Sequence, residues 1–307
     1  MRMEAISQEP LIKVENIQAR GSRFKSENGA GVSSTGLTFA RIQSPSSILT
    51  YKHCPRKYYY TYIEELPMQP SIHLTRGKIA HSVLEDFFKL DITKIPRENA
   101  EFVLKIFIQD MLKQHWTKSG KELDSLNMDQ TLLDYYFYET KEMLNKWYLD
   151  FLRSLVAEMR KAPFVDAFKR LTPQTEVSYK SEKYGIRGFI DAIQHTDDGV
   201  VLLDYKTSKD KKISDAYRLQ LALYALMYEE NHGVLPQKAG VYFLKHGQQM
   251  LFDVDYELVD LAKLEAELIH TNTATTAIVD YPKKPGPLCK WKTGQCDFYG
   301  KCFGHER

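Results

Sequence analysis

Val200-Val201-Leu202-Leu203-Asp204-Tyr205-Lys206-Thr207 reads as a buried strand that ends in an acid and a base. Apolar residues fill both faces before Asp204, as in a strand covered on both sides. Side chains alternate along a strand, so Asp204 and Lys206 point one way and Tyr205 the other. A core strand thus delivers a carboxylate and an ammonium together at its rim. That arrangement suits one hard cation and one water beside a phosphate.

The surrounding sequence supplies partners for this strand. Asp197-Asp198-Gly199 is a turn that leads into it. Upstream, Gln174 to Ser181 alternates as a strand, and Ile186 to Gln194 is a second, after a turn containing Gly185. Downstream come a helix from about Ser214 to Glu230 and a hairpin of Ala239 to Leu244 with Met250 to Val254, turning at His246-Gly247. A helix over Tyr256 to His270 closes the region. Before the strands, Ser44-Pro45-Ser46-Ser47 starts a helix with serine as N-cap and proline in the first turn. Cys54-Pro55-Arg56-Lys57 interrupts it, and an aromatic run follows through Tyr62. A further helix begins near Arg76-Gly77, with Ile79, Ala80, Val83, Leu84, Phe87 and Phe88 as its apolar stripe.

This pattern is α/β, with helices on a central sheet. It divides the chain into a flexible N-terminal segment (1–43), N-terminal helices (44–96), a helical insert (97–172), the strand-bearing core (173–280) and a cysteine-rich tail (281–307). The flexible composition of the first segment centres on Gly29-Ala30-Gly31-Val32-Ser33-Ser34-Thr35-Gly36. The insert is read as amphipathic helices over the site, without chemistry of their own. The tail from Tyr281 is rich in proline, glycine and cysteine, and on this reading needs an external staple.

Composition excludes some classes. Lysine plus arginine number 42 against 40 acids, a formal net charge of +2. No global field favours nucleic acid, although local patches can bind phosphate. No stretch is long and apolar enough to cross a bilayer. The N-terminus lacks the apolar core of a signal peptide, so the expected location is cytoplasmic, or the host cytoplasm for a viral protein.

Three acids and a lysine fall on consecutive strands: Glu176, then Asp191, then Asp204 with Lys206. Asp191 ends an apolar strand in Gly188-Phe189-Ile190-Asp191, where glycine allows close approach. Carboxylates at adjacent strand ends can share a divalent cation, which predicts a hydrolytic metal site. Four cysteines form a second set. Cys289, Cys296 and Cys302 cluster in the tail and Cys54 lies far upstream. In a reducing compartment such thiols point to metal rather than disulfides. Sulfur-only ligation suits an iron–sulfur cluster or tetrahedral zinc. His305 offers only a weak substitute ligand.

Gly188-x-x-Asp191, Asp204-x-Lys206 and Gln220-x-x-x-Tyr224, in that order, resemble the PD-(D/E)XK nuclease superfamily. More narrowly they resemble its RecB-like members, which include the iron–sulfur nucleases of CRISPR adaptation and of bacterial and phage recombination. Gly77-x-x-x-His81-x-x-Leu84-Glu85 is similar to the helix that supplies a histidine ligand there. Ser44-x-Ser46 followed by Cys54-Pro55-Arg56 is similar to their N-terminal cysteine motif. The likeness runs from Ser44 to Cys302 and leaves the insert unmatched.

The resemblance implies a restriction-endonuclease-like core, a mixed sheet flanked by helices, with an iron–sulfur-stapled tail. It implies that Asp191 and Asp204 bind Mg²⁺ or Mn²⁺ together with His81 and the Tyr205 carbonyl. Lys206 would orient or deprotonate the attacking water. Gln220 and Tyr224 would position DNA or a water, and Glu176 would reach a second metal directly or through water. Glu85 would orient His81. Cys54, Cys289, Cys296 and Cys302 would hold a [4Fe–4S] cluster, with zinc as the alternative, because six residues separate Cys289 from Cys296 where the family spaces them closer.

The implied function is a deoxyribonuclease, an exonuclease on single strands or DNA ends in recombination, repair or CRISPR adaptation. The chain has no Walker-type phosphate loop, so a helicase motor would come from a partner. A non-catalytic DNA-binding or interaction protein of such a complex, stapled by a cluster or by zinc, is the competing reading. Lys290, Trp291 and Lys292 would then, or in either case, touch DNA or form a solvated loop.

Overall fold

The computed structural model describes residues 31–32, 38–292 and 294–304. Two-residue strands β1 (Gly31–Val32) and β2 (Thr38–Phe39) pair antiparallel. Helices α1 (Pro45–His53), α2 (Pro55–Tyr58) and α3 (Ile72–Phe87) follow. The insert supplies α4 (Ala100–Lys118), α5 (Gly120–Asp124), α6 (Gln130–Glu158) and α7 (Phe164–Leu171). Then come β3 (Gln174–Ser181), β4 (Ile186–Thr196), β5 (Gly199–Lys206), α8 (Asp215–His232), β6 (Lys238–Phe243), β7 (Gln248–Asp253) and α9 (Tyr256–Asn272). The tail adds a small hairpin, β8 (Lys290–Trp291) with β9 (Gly294–Gln295), and α10 (Tyr299–Phe303). No helix among the described residues is long and apolar enough to cross a membrane.

The sheet runs β3-β4-β5-β6-β7. Its pairings are antiparallel except β5 with β6, which is parallel and is crossed over by α8. This is an α/β fold with a mixed sheet flanked by helices, consistent with a restriction-endonuclease-like core. Alternation along β5 assigns the two faces. Leu202 joins the core under α8 and α9, while Val201, Leu203 and Tyr205 join the core under α3, α4 and α6. The insert therefore shares its hydrophobic core with the sheet.

The last residue of the N-terminal segment is built into this fold. Gln43 is fully buried and bridges to Ile186 on the β4 edge. Its side chain bonds Tyr58 at 2.8 Å and Thr273 at 3.3 Å. The remainder of the flexible composition read at Gly29 to Gly36, and His305, lie largely outside the described residues. The helix expected from Arg76 starts four residues earlier, at Ile72, with Ser71 as its extended N-cap residue.

Aromatic contacts anchor the tail. Tyr281 is fully buried and stacks on Tyr58 at 6.0 Å, with Tyr51 and Tyr59 around it. Arg56 donates to its carbonyl at 2.7 Å, and Phe298 packs on Tyr60 at 5.2 Å. Aromatic pairs of this kind contribute about 0.5–1.5 kcal/mol each beyond the area they bury. The aromatic run after Cys54-Pro55 is thus the floor on which the C-terminal segment lies.

Candidate active site

The rim of β5 is irregular where the acids meet. Strict alternation would place Ile190 and Ala192 of β4 in one core. Instead Ile190 joins the α8 core and Ala192 the insert core. The register pairs Thr175 with Ala192 and Val177 with Ile190, leaving Glu176 and Asp191 between the paired positions. Glu176 has a left-handed backbone, φ 53°. A non-glycine residue in that region is strained and persists only where its surroundings hold it, often at functional sites. Two carboxylates set opposite each other on neighbouring strands also repel. The irregularity costs stability and brings two acids together.

Gly188 explains how β4 tolerates this approach. A Cβ there would meet Met227 at 3.1 Å and Pro45 at 3.3 Å, so the first turn of α1 and α8 close directly onto the strand.

Beyond Ala192–Leu203 the β4–β5 ladder stops. Asp191 takes over as hydrogen-bond partner: its Oδ2 accepts the Tyr205 N–H at 2.8 Å. His81, on α3, approaches from the insert side. Its Nε2 lies 2.8 Å from the Tyr205 carbonyl and its Nδ1 lies 3.4 Å from Asp191 Oδ2. Among the described residues, only His81, Glu176 and Asp191 bring three metal-ligating atoms within 4.8 Å of one another. Glu85, one turn on, pairs with Lys89 at 2.9 Å.

The other face of β5 carries a polar chain. Asp204 is buried and its Oδ2 lies 2.7 Å from Lys206 Nζ, yet that oxygen is in no aligned hydrogen bond. Lys206 donates to Gln220 Oε1 at 3.0 Å. Gln220 Nε2 donates to Asp204 Oδ1 at 2.9 Å and to the Tyr224 hydroxyl at 2.8 Å. Gln220 and Tyr224 stand one turn apart on α8, which packs on this face. The structure thus splits the expected residues into two sets around the end of β5. His81, Glu176 and Asp191 form one, while Asp204, Lys206, Gln220 and Tyr224 form the other. The Tyr205 carbonyl, expected as a ligand, here accepts from His81 if Nε2 carries the proton.

Burial dominates the electrostatics. It pushes Asp204 up to about 6, with Lys206 pulling down and Asp191 pushing up. Burial alone would lower His81, but the charge and hydrogen bond of Asp191 outweigh it and hold the imidazole at about 9. Burial would likewise lower Lys206, but Asp204 outweighs it, so the amine stays an ammonium. A hard divalent cation fits this donor set. It would answer the crowded Glu176 and Asp191 carboxylates and the unaligned Asp204 oxygen with the oxygen and nitrogen ligands that Mg²⁺ and Mn²⁺ accept.

The sign of the pH dependence follows. A histidine whose pKa is raised on folding stabilises the metal-free protein fully below about 6.5 and stops doing so as pH rises through about 9. A metal must expel that proton to use the ring nitrogen. Apparent Mn²⁺ affinity should therefore rise about tenfold per pH unit from about 7 to 9 and then level off. Calorimetric titration checks this, and a pH-independent affinity would remove His81 from the ligands.

One network escaped the sequence reading, which found no chemistry in the insert. Glu139 of α6 pairs with both Arg76 and Lys245, and Arg76 reaches the Thr207 carbonyl at 3.5 Å. Arg76 precedes the glycine of the histidine motif, but Glu139 has no local pattern that would single it out.

The thiols are half-buried and carry no disulfide. Between Cys289 and Cys296, Lys290–Trp291 pairs with Gly294–Gln295 as the β8–β9 hairpin, and Cys296 N–H donates to the Cys289 carbonyl at 2.9 Å. The longer spacing therefore does not separate these two cysteines. Burial first, then neighbouring Cys54, with Cys296 adding to it, pushes the Cys302 thiol up.

A family model described as the PD-(D/E)XK nuclease superfamily matches residues 43–303. The CRISPR-associated exonuclease Cas4 of Francisella tularensis subsp. novicida is 29% identical over 130 residues, 41% of this chain and 60% of that one. The Gene 69 protein of Mycobacterium phage L5 is 24% identical over 291 residues, 86% of this chain and 97% of that one. One chain of an ATP-dependent helicase/nuclease of Limosilactobacillus reuteri is 36% identical over 80 residues, 23% of this chain and 6% of that one. The match thus spans somewhat less than two thirds of the first and a small fraction of the last.

Proposed function

Because the chain belongs to the PD-(D/E)XK nuclease superfamily, we propose that it is a metal-dependent deoxyribonuclease, an exonuclease on single strands or DNA ends. The observation that carries this is the junction at β5, where the His81–Glu176–Asp191 group and the Asp204–Lys206 pair meet across one residue, Tyr205.

Asp191, Asp204, Glu176, His81 and the Tyr205 carbonyl are the residues that would hold Mg²⁺ or Mn²⁺. Such an ion lowers the pKa of bound water and offsets charge on phosphate oxygens. Lys206, which Asp204 holds as an ammonium in the metal-free protein, would orient or deprotonate the attacking water and help neutralise the phosphorane. Gln220 fixes Lys206 by accepting from it while donating to Asp204, which leaves only one orientation of its amide. Tyr224, one turn on along α8, limits rotation of Gln220.

The four thiols support a [4Fe–4S] cluster at Cys54, Cys289, Cys296 and Cys302. Cys296 N–H donates to the Cys289 carbonyl, and Cys54 and Cys296 both act on the Cys302 thiol, so the four lie close enough to share one group. Sulfur-only ligation suits this cluster, with tetrahedral zinc as the alternative. The context in this proposal is cytoplasmic DNA processing, in recombination, repair or CRISPR adaptation, with any helicase motor supplied by a partner.

Digestion of end-labelled single strands tests the function. Cleavage with Mn²⁺ that stops in EDTA, with mononucleotides or short products released from an end, is the expected result. Binding without any cleavage at saturating Mn²⁺ would contradict it and leave a non-catalytic DNA-binding protein.

A further inference from the structure

The N-terminal half of α6 carries aromatic residues that the cores do not account for. Phe137 packs edge-on against Trp116 at 5.3 Å, but Tyr135 and Tyr136 belong to neither core. Tyr135 is 57% exposed. Tyr136 turns toward α3, its ring perpendicular to His73 at 5.6 Å and 5.3 Å from the Arg76 guanidinium carbon. Arg76 contacts the carbonyl of Thr207, the residue that follows Lys206.

Cations surround these rings. Arg76 touches Thr207, two residues before Lys209 in the loop after β5, and Lys245 pairs with Glu139 on the same side. Glu139 pairs with Arg76 and Lys245 and is the carboxylate these contacts bring among them. Positive charge is therefore in excess beside exposed aromatic faces, one residue from the catalytic amine. Interleaved rings and cations of this kind bind unpaired bases and their phosphates, because every base offers a π-face once it is out of a duplex.

We propose that Tyr135, Tyr136 and His73 form a stacking platform for the bases of a single strand at the active site, with Lys209 and Lys245 on its phosphates. This rests on the nuclease reading and deepens it by naming the residues that would hold the bases of such a strand. Arg76 and Glu139 are positioning residues, since both are buried or nearly so and fix the platform to the loop after Lys206. The insert then has a task beyond covering the sheet.

The test uses the full chain in Ca²⁺, so that binding is read without turnover. Fluorescence anisotropy follows a labelled single strand in which one abasic site is moved along the sequence. Wild-type protein should lose about tenfold in affinity at one or more abasic positions. Tyr135→Ala should bind the intact strand about tenfold more weakly and become insensitive to one of those positions. Tyr135→Phe, which keeps the ring, should behave as wild type. Lys209→Ala should lower the salt dependence by about 0.7 in log–log slope, the value for one single-strand phosphate.

Equal affinity of Tyr135→Ala and wild type for the intact strand would overturn the platform. So would an unchanged abasic pattern in the variant. Wild-type protein that shows the expected pattern but never cleaves in Mn²⁺ would strike the nuclease reading alone and leave the platform standing.

Discussion

Lys206→Ala is expected to cut the rate of Mn²⁺-dependent cleavage by about 10²- to 10³-fold, the range for removing one preorganised donor at a developing charge. The protein should stay folded. Removing the ammonium leaves Asp204 buried without its partner, normally a costly change. Asp204 already sits at about 6 with Lys206 beside it, and burial is the cause. Without Lys206 its pKa rises further, so at neutral pH the carboxyl takes a proton and the buried charge is relieved. Gln220 Nε2 can still donate to it. Asp191→Ala should be more severe. It removes a carboxylate from the metal group, the acceptor for the Tyr205 N–H and the countercharge for His81 in one step. Single-turnover cleavage with a thermal melt on each variant checks both effects. Undiminished cleavage by Lys206→Ala would remove it from the site.

On the proposed [4Fe–4S] reading, Cys296→Ser should abolish the cluster rather than weaken it. Cys296 faces Cys289 across the β8–β9 hairpin and acts on Cys302, so it links the other two tail thiols. Its loss removes one of four ligands and exposes the others to oxidation. Absorption in the visible should vanish and iron should fall to background. The aromatic contacts limit the damage. Tyr281 and Phe298 bury against Tyr58 and Tyr60 through ring contacts that need no bound cluster. Limited proteolysis should therefore open the tail near the hairpin before it touches the sheet. A stable variant with full colour and iron would reject Cys296 as a ligand. Zinc in place of iron in the wild type would reject the cluster and keep the staple.

The strands were readable because their chemistry is local. Two-residue alternation and the turns at Gly185 and Asp197-Asp198-Gly199 specify β3 to β5 within a few positions. The pairing of Asp204 with Lys206 follows from parity along one strand. The site's division into two sets was not readable. It depends on the break in alternation at Asp191 and on the left-handed backbone of Glu176, an acid where no glycine or asparagine announces such a conformation. The anchoring of the tail was missed for a related reason. Tyr281 is one tyrosine in a segment of turn residues, and only the fold brings it onto Tyr58. Glu139 was hidden by distance, since its partners lie 63 and 106 residues away.

The most direct measurement is anomalous scattering from crystals grown with Mn²⁺. The account expects a manganese peak bonded to Asp191 and Asp204 within reach of His81, with Lys206 Nζ beside the ion's water. Crystals at saturating Mn²⁺ with no peak there, and with Asp191 still bonded to the Tyr205 N–H and His81, would contradict it.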